Sequence, residues 1–417
     1  MNGMNFLEKL LNGAAVEWKP LGEIGEFIRG SGLQKSDFTD SGIGCIHYGQ
    51  IYTFYDDYAY QTKSFVSPTL AAKLRKAQKN DLIIATTSEN IEDVCKPLVW
   101  LGEEEVCVSG ETYIFKHNQN PKYLAYYLKT PHFFDFKKRN RTGTKVIRVH
   151  GGKLATFPIP IPCPDNPDRS LAIQAEIVRI LDTFTELTTE LTTELTLRQK
   201  QYEYYRDRLL TFEEGEAEWK TLGEVAKIQR GASPRPIAKY ITDNEDGVPW
   251  IKIGDTSPGS KYVNSTAQRV TLEGAKKSRI LNEGDFIMSN SMSFGRPYIL
   301  GIRGAIHDGW ASISDFGEKL NSDYLYHYLS SNSVQNYWLG KINSGSVSNL
   351  NADIIKTLQI PIPALSEQAR IASILDKFDT LTTSISEGLP REIALRQQQY
   401  EYYRDLLLSF PPPLTPP

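Results

Sequence analysis

The chain has few of the residues that do chemistry by themselves. Its four cysteines, Cys45, Cys95, Cys107 and Cys163, form no CxxC pair and have no pair of histidines nearby. That excludes a zinc finger or ribbon and offers no disulfide framework, so reduced thiols and no bound metal are expected. The six histidines are dispersed, and no G-x-S-x-G elbow accompanies them. A GxxxxGK[ST] phosphate loop is missing. So is the Asn/Asp-Pro-Pro-aromatic signature of adenine amino-methyltransferases. Asn120-Pro121-Lys122 and Asn166-Pro167-Asp168 lack the second proline and the aromatic. Catalysis by this chain alone is not expected, and no catalytic residue is assigned. No apolar run approaches the ~18 residues that cross a bilayer. The opening MNGMNFLEKLLNG lacks the basic-then-apolar order of a signal peptide. A cytoplasmic protein without membrane contact is expected. An excess of one charge is missing too, with 47 Lys and Arg against 50 Asp and Glu. A net charge of −3 does not advertise a nucleic-acid partner, but a mean conceals opposed patches.

What the chain does have is self-similarity. Leu197–Leu210, LRQKQYEYYRDRLL, returns as Leu395–Leu408, LRQQQYEYYRDLLL. Trp18-Lys19-Pro20-Leu21-Gly22-Glu23 returns 201 residues later as Trp219-Lys220-Thr221-Leu222-Gly223-Glu224, and Arg29-Gly30 as Arg230-Gly231. Pro160-Ile161-Pro162 falls on Pro361-Ile362-Pro363 at the same offset. Phe6–Leu11 precedes its EWKxLGE copy as Asp207–Leu210 precedes the other, so the repeat is cyclic in character. Between the shared ends, the interiors differ.

Both interiors read as mixed α/β. Gly42–Tyr52, Gly247–Ile253, Asp81–Thr86 and Asp285–Ser289 are β-rich, and Tyr123–Leu128 and Asp323–Leu329 pattern as short helices. After each proline segment Ile173, Ile177, Ile180, Phe184, Leu187 and Leu191, or Ile371, Ile374, Phe378, Leu381 and Ile385, step by three and four as a coiled-coil seam. The first seam runs from Asp168 to Phe212 without Pro or Gly and predicts one rod-like helix. The second meets Gly388-Leu389-Pro390, which predicts a break with Pro390 opening the next piece. Within the first rod lies a tandem with a four-residue period, Thr185–Thr196. Each period adds about 6 Å and a net rotation of about 40°. PPPLTPP at 411–417 patterns as a disordered tail.

The charge is unevenly placed. Lys137–Lys153, KKRNRTGTKVIRVHGGK, carries seven Lys and Arg and no acid. Arg reads guanine edges while Lys and Thr anchor phosphates, so Lys137, Lys138, Arg139, Arg141, Thr144, Lys145 and Arg148 are candidate DNA contacts. The matching stretch Asn343–Asn351 is uncharged but polar, and Ser346, Ser348 and Asn349 are its candidates. Arg29 and Ser31, with Arg230, Ser233 and Arg235, occupy matched loops. Asn290, like Thr86–Asn90, follows a strand. The first rod is acidic, nine acids against six bases over residues 165–212, which suits a protein partner better than phosphate. Tyr202, Tyr205, Tyr400 and Tyr403 are candidate partner contacts, with packing between the rods as the plainer account.

These motifs together resemble the specificity (S) subunit of type I restriction-modification systems, over nearly the whole chain. EWKxLGE opens each half, IPIP closes it, QxxIxxILD starts each spacer and RQxQYEYYRD ends it. The TTEL tandem is similar to the tetrapeptide repeat of one subfamily. The resemblance implies an α+β fold of two mixed α/β target recognition domains separated by two long helices. Those helices would form an antiparallel coiled coil in a pseudo-twofold, cyclic arrangement. The expected segments are 1–16 helical, 17–163 and 216–363 as recognition domains, 164–215 and 364–410 as spacer helices, and 411–417 as tail. The family implies double-stranded DNA as ligand, read as a split asymmetric site with one half per domain. It also implies two modification (methyltransferase) subunits that carry S-adenosylmethionine, and ATP-dependent restriction subunits, with no cofactor in this chain. A coiled-coil scaffold with protein-binding domains is the alternative reading.

Overall fold

The computed structural model describes residues 6–256, 259–290, 295–343, 350–384 and 386–411. Two compact units divide the chain, one of Met1–Leu187 with Arg396–Pro417 and one of Thr188–Leu395.

In the first unit, Leu82–Ala85 is a fully buried Leu-Ile-Ile-Ala strand, a run whose branched side chains suit a sheet interior. It lies mid-sheet in the order Gly25–Arg29, Thr112–His117, Leu82–Ala85, Lys96–Trp100, Tyr58–Ala59. A second sheet runs Ser64–Val66, Ile43–Ile46, Val106–Val108, Lys76–Ala77, with a parallel central pair that sets Cys107 opposite Cys45. The proline segment Pro158–Pro162 pairs antiparallel with Val16–Pro20 in a two-stranded ribbon. Proline has no N–H to give a ladder, which confines this strand to an edge pairing, and Ile159 to Pro162 are buried in it while Pro158 is only partly covered.

The second unit repeats this frame although its interior sequence differs. Its five-stranded sheet runs Lys227–Arg230, Trp310–Ser314, Phe286–Ser289, Pro297–Leu300, Tyr262–Val263, place for place the order above. The other sheet again has a parallel central pair, Val248–Ile251 with Gly304–Ile306. Glu218–Thr221 pairs with Gln359–Ile362, so Trp219 faces Pro361 as Trp18 faces Pro160. The β-rich stretches at Gly42–Tyr52 and Gly247–Ile253 are only half strand. Each turns helical after its strand, as Tyr48–Thr53 and as the 3-10 turn Ile253–Asp255.

The central helix is continuous over Pro167–Leu209, 43 residues. Asn166 begins it, with its Oδ1 accepting from the Arg169 amide at 3.0 Å, ahead of a proline at the first helical position. The division between the units falls within the TTEL tandem, after Leu187. The second copy is broken into Leu365–Thr383 and Gly388–Leu407. Gly388 has φ +75°, and a Cβ there would lie 2.4 Å from the Thr380 carbonyl oxygen. Only glycine fits. Ile385 falls outside the described residues.

Each unit packs the start of one spacer helix against the end of another. In the first, the helix Pro121–Tyr127 is the common neighbour. The Asn120 amide donates to Gln174 Oε1 at 2.9 Å, and Tyr126 Oη donates to Asp182 at 2.6 Å. Over the same span Tyr123 meets Phe410 and Tyr126 meets Tyr400. The two helices therefore run in opposite directions. Phe184 stacks on Tyr403 with centroids 5.2 Å apart, a contact worth roughly 1 kcal/mol beyond its buried area. In the second unit Asn321 and Gln368 repeat the first bond at 2.8 Å, and His327 Nε2 meets Asp376 at 2.8 Å where Tyr126 meets Asp182. Tyr202 and Tyr205 lie against Phe378 as stacked rings, 6.3 and 5.7 Å away.

Candidate nucleic-acid interface

In the first unit, three of the sequence-predicted loops meet at the end of the five-stranded sheet. Strand Gly25–Arg29 is followed by Gly30, whose Cα approaches the Ser109 carbonyl so closely that a Cβ would sit 2.0 Å from its oxygen. That approach brings Arg29 Nε to within 3.0 Å of the Gly110 oxygen and its Nη2 to 3.9 Å from Glu111. Thr87-Ser88 pairs antiparallel with Ile147-Arg148, which carries Arg148 Nε to 3.7 Å from Glu111 on the opposite flank. Thr87 Oγ1 donates to Glu111 Oε2 at 2.5 Å. Ser31 Oγ accepts from the Arg75 amide, which fixes its oxygen and leaves its O–H to donate.

The basic stretch is a helix end and a hairpin, not a single loop. Pro131–Asn140 carries Lys137, Lys138 and Arg139 in its last turn. Thr142 and Arg148 then exchange both backbone bonds, at 2.8 and 2.9 Å, around a turn holding Thr144 and Lys145. Buried Ile147 and Val149 pin the hairpin, and Lys138, Arg139, Arg141, Thr144, Lys145 and Arg148 stand exposed. Lys137 does not. Its ammonium is buried and donates to the carbonyls of Glu92 at 2.6 Å and Val94 at 3.0 Å, and burial holds it below the usual lysine range. A charge so placed cannot reach a phosphate; it ties the 92–94 turn to the helix.

The second unit builds the same place from different residues. Gly231 approaches the His307 carbonyl as Gly30 approaches that of Ser109, with a Cβ clash of 2.1 Å. Around Asp308 gather Arg230, Ser233, Arg235 and Asn290. Arg230 Nε donates to its carbonyl at 3.0 Å, Ser233 Oγ to its Oδ1 at 2.6 Å, and Asn290 Nδ2 to its carbonyl at 3.4 Å. Arg235 Nη2 lies 3.9 Å from Oδ2. The Ser233 bond holds the Asp308 carboxyl below its ordinary range, against the opposing push of burial. Ser346, Ser348 and Asn349 lie outside the described residues.

Two central residues, Glu111 and Asp308, were not found by sequence reasoning. The available signal was their chain position, within two residues after the residue that faces each edge glycine.

The predicted partner tyrosines divide by burial. Tyr202 and Tyr400 are each 9% exposed and belong to the two cores, and Tyr205 and Tyr403 stack on phenylalanines. The tyrosines that face outward most are Tyr204 and Tyr402, at 59% and 63%, and Tyr205 keeps 38% of its surface exposed beside Phe378. Helical spacing decides this. Within YEYYRD the first and fourth residues share the packed face, and the third points away.

Among the described residues no group of three His, Cys, Asp or Glu is placed to hold a metal ion, and all four cysteines are buried and free. No helix among them is long and apolar enough to cross a membrane.

The type I restriction modification DNA specificity domain model matches twice, over residues 15–198 and 215–395. The chain is 38% identical to the type I restriction enzyme EcoR124I/EcoR124II specificity subunit of Escherichia coli, covering 100% of this chain and 99% of that one. It is 35% identical to a putative type I restriction enzyme specificity subunit of Haemophilus influenzae, over 98% and 99%. Its fold is shared with a chain from a structure of type I R-M system assembly and conformational transition, with TM-score 0.63 at 17% identity over 94% and 97%. It is also shared with the S subunit of a type I restriction-modification system from M. genitalium, with TM-score 0.55 at 13% identity over 97% and 98%.

Proposed function

The chain belongs to the family of type I restriction-modification specificity subunits, and from that premise we propose how its parts divide the work. Residues 17–163 and 216–363 act as target recognition domains, each reading one half of a split DNA site. The observation that carries this is the arginine-flanked cluster beside each edge glycine, built on one frame from unlike residues. One frame places both clusters alike, and unlike residues read unlike half-sites. The recognised sequence is therefore asymmetric. Arg29, Arg148, Arg230 and Arg235 supply donors to base edges, and Lys138, Arg139, Arg141, Thr144 and Lys145 anchor phosphates.

The acidic spacer helices dock two modification subunits, which bind S-adenosylmethionine and methylate adenine. The outward tyrosines Tyr204 and Tyr402 are the contacts best exposed for that docking. Restriction subunits add ATP-dependent cleavage, and this chain contributes selection alone. Its four reduced, buried thiols suit the cytoplasm. The scaffold alternative leaves the exposed basic hairpin without a role.

Footprinting on duplex DNA with the modification subunits present tests the reading. Two protected patches at a fixed unprotected spacing are expected, with binding that weakens steeply as salt rises. Salt-insensitive binding, or protection of one patch only, would overturn it.

A further inference from the structure

The two clusters share a construction that common descent of their loops does not supply. In each, a hydroxyl donates to one carboxylate oxygen: Thr87 to Glu111 Oε2, and Ser233 to Asp308 Oδ1. In each, among the described residues, the other oxygen meets a guanidinium only at 3.9 Å, Arg29 beside Glu111 Oε1 and Arg235 beside Asp308 Oδ2. That is beyond hydrogen-bond reach. The parts come from different places. Thr87 lies on a strand pairing with the basic hairpin, whereas Ser233 lies on the edge loop itself. The acids are not at equivalent positions either. Glu111 is the second residue after Ser109, and Asp308 the first after His307. Both carboxylates remain partly exposed, at 36% and 30%.

A negative charge in a phosphate-facing surface weakens binding to every sequence. It gains something back only where a base offers it a donor. In the major groove the donors are the N4 amino group of cytosine and the N6 amino group of adenine, while guanine O6 and thymine O4 are acceptors. A carboxylate with one oxygen fixed by a hydroxyl and the other open is an acceptor aimed in one direction. The guanidinium beside it complements the acceptor that neighbours each amino group.

We propose that Glu111 and Asp308 are specificity-determining residues, the open oxygen of each accepting from the amino group of a cytosine or adenine at one position of its half-site. The assignment rests on the DNA-reading function above. A keto base there would set its oxygen against the carboxylate, so discrimination comes from repulsion as well as from the bond.

The test uses the full chain with its modification subunits and a duplex library randomised in both half-sites. Wild type is expected to prefer an amino base over a keto base at one position per half-site by about 5- to 150-fold. Which base is selected separates cytosine from adenine. Glu111→Gln should bring that preference to within about 2-fold in one half-site, and Asp308→Asn in the other, with the gap and the remaining positions unchanged. Glu111→Asp and Asp308→Glu keep the charge but shift the oxygen by about 1.5 Å. They should weaken the same positions and guard against a misfolded amide variant. Unchanged preferences in all four variants would overturn the proposal while leaving DNA reading intact. So would an affinity loss uniform over all sequences, which would mean that the acids only orient the arginines. A wild-type complex that selects no split sequence fails at the earlier step, the DNA reading itself.

Discussion

Lys137 shows how a side chain can sit in a basic run without belonging to it. Its neighbours Lys138 and Arg139 are exposed, but one position on a helix turns the side chain by about 100° and places Lys137 under the 92–94 turn. Lys137→Met keeps the stem and removes the donor, leaving two carbonyls short of a partner. Affinity for the DNA half-site is expected to fall while the slope of log K against log salt stays as in wild type. Lys145→Met, which removes an exposed charge, should instead reduce that slope by about one. Anisotropy titrations of the assembled complex over a salt series distinguish the two, and a reduced slope for Lys137→Met would put its charge on a phosphate after all. The basic run was legible as composition, but burial was not, because the 92–94 turn that covers Lys137 lies some 45 residues away. The same limit hid Glu111 and Asp308, whose meaning comes from a loop far off in sequence, such as the one carrying Arg148.

Elements were easier to read than residues. The central helix follows from an unbroken seam, and its expected limits, Asp168 and Phe212, miss the observed Pro167–Leu209 by a residue or three. The break at Gly388 was legible because glycine and proline act locally. The paired sheets were not, since strand order depends on long-range pairing. The TTEL tandem is wholly helical, and its threonines bond back to carbonyls four residues earlier, as in Thr192 to Thr188 at 2.8 Å and Thr196 to Thr192 at 3.0 Å. Deleting Thr189–Thr192 removes one period, about 6 Å of helix. The recognised gap is expected to shorten while both half-sequences persist, as the methylated motif of DNA exposed to the variant complex would report. A change in the half-sequences would mean that the tandem is not a ruler.

At the scale of the whole molecule, the duplication announced two units and a repeat of cyclic character. What it left open was which segment completes which unit. The first core contains Leu407, Leu408 and Phe410 beside Leu7, Leu11, Ile173 and Ile177. Trp18 Nε1 donates to the Pro411 carbonyl at 2.7 Å, so Pro411, expected to open a disordered tail, is tied down. Phe410→Ala should cost the first unit roughly 3–5 kcal/mol, the usual penalty for emptying a buried aromatic site. Calorimetry is expected to show one transition moving down while the other, from residues 188–395, keeps its midpoint. Two transitions falling together would mean that the units do not melt separately.

That same closing contact sets an order in time. A ribosome has made all of Thr188–Leu395 before it makes the residues that finish the first core. At 5–20 residues per second the first unit waits on the order of 10–40 s, its apolar surface incomplete, while its younger sibling has every residue it needs. The part of the protein translated first is thus the part that matures last, and nascent chains released before residue 396 should expose it to proteases and chaperones.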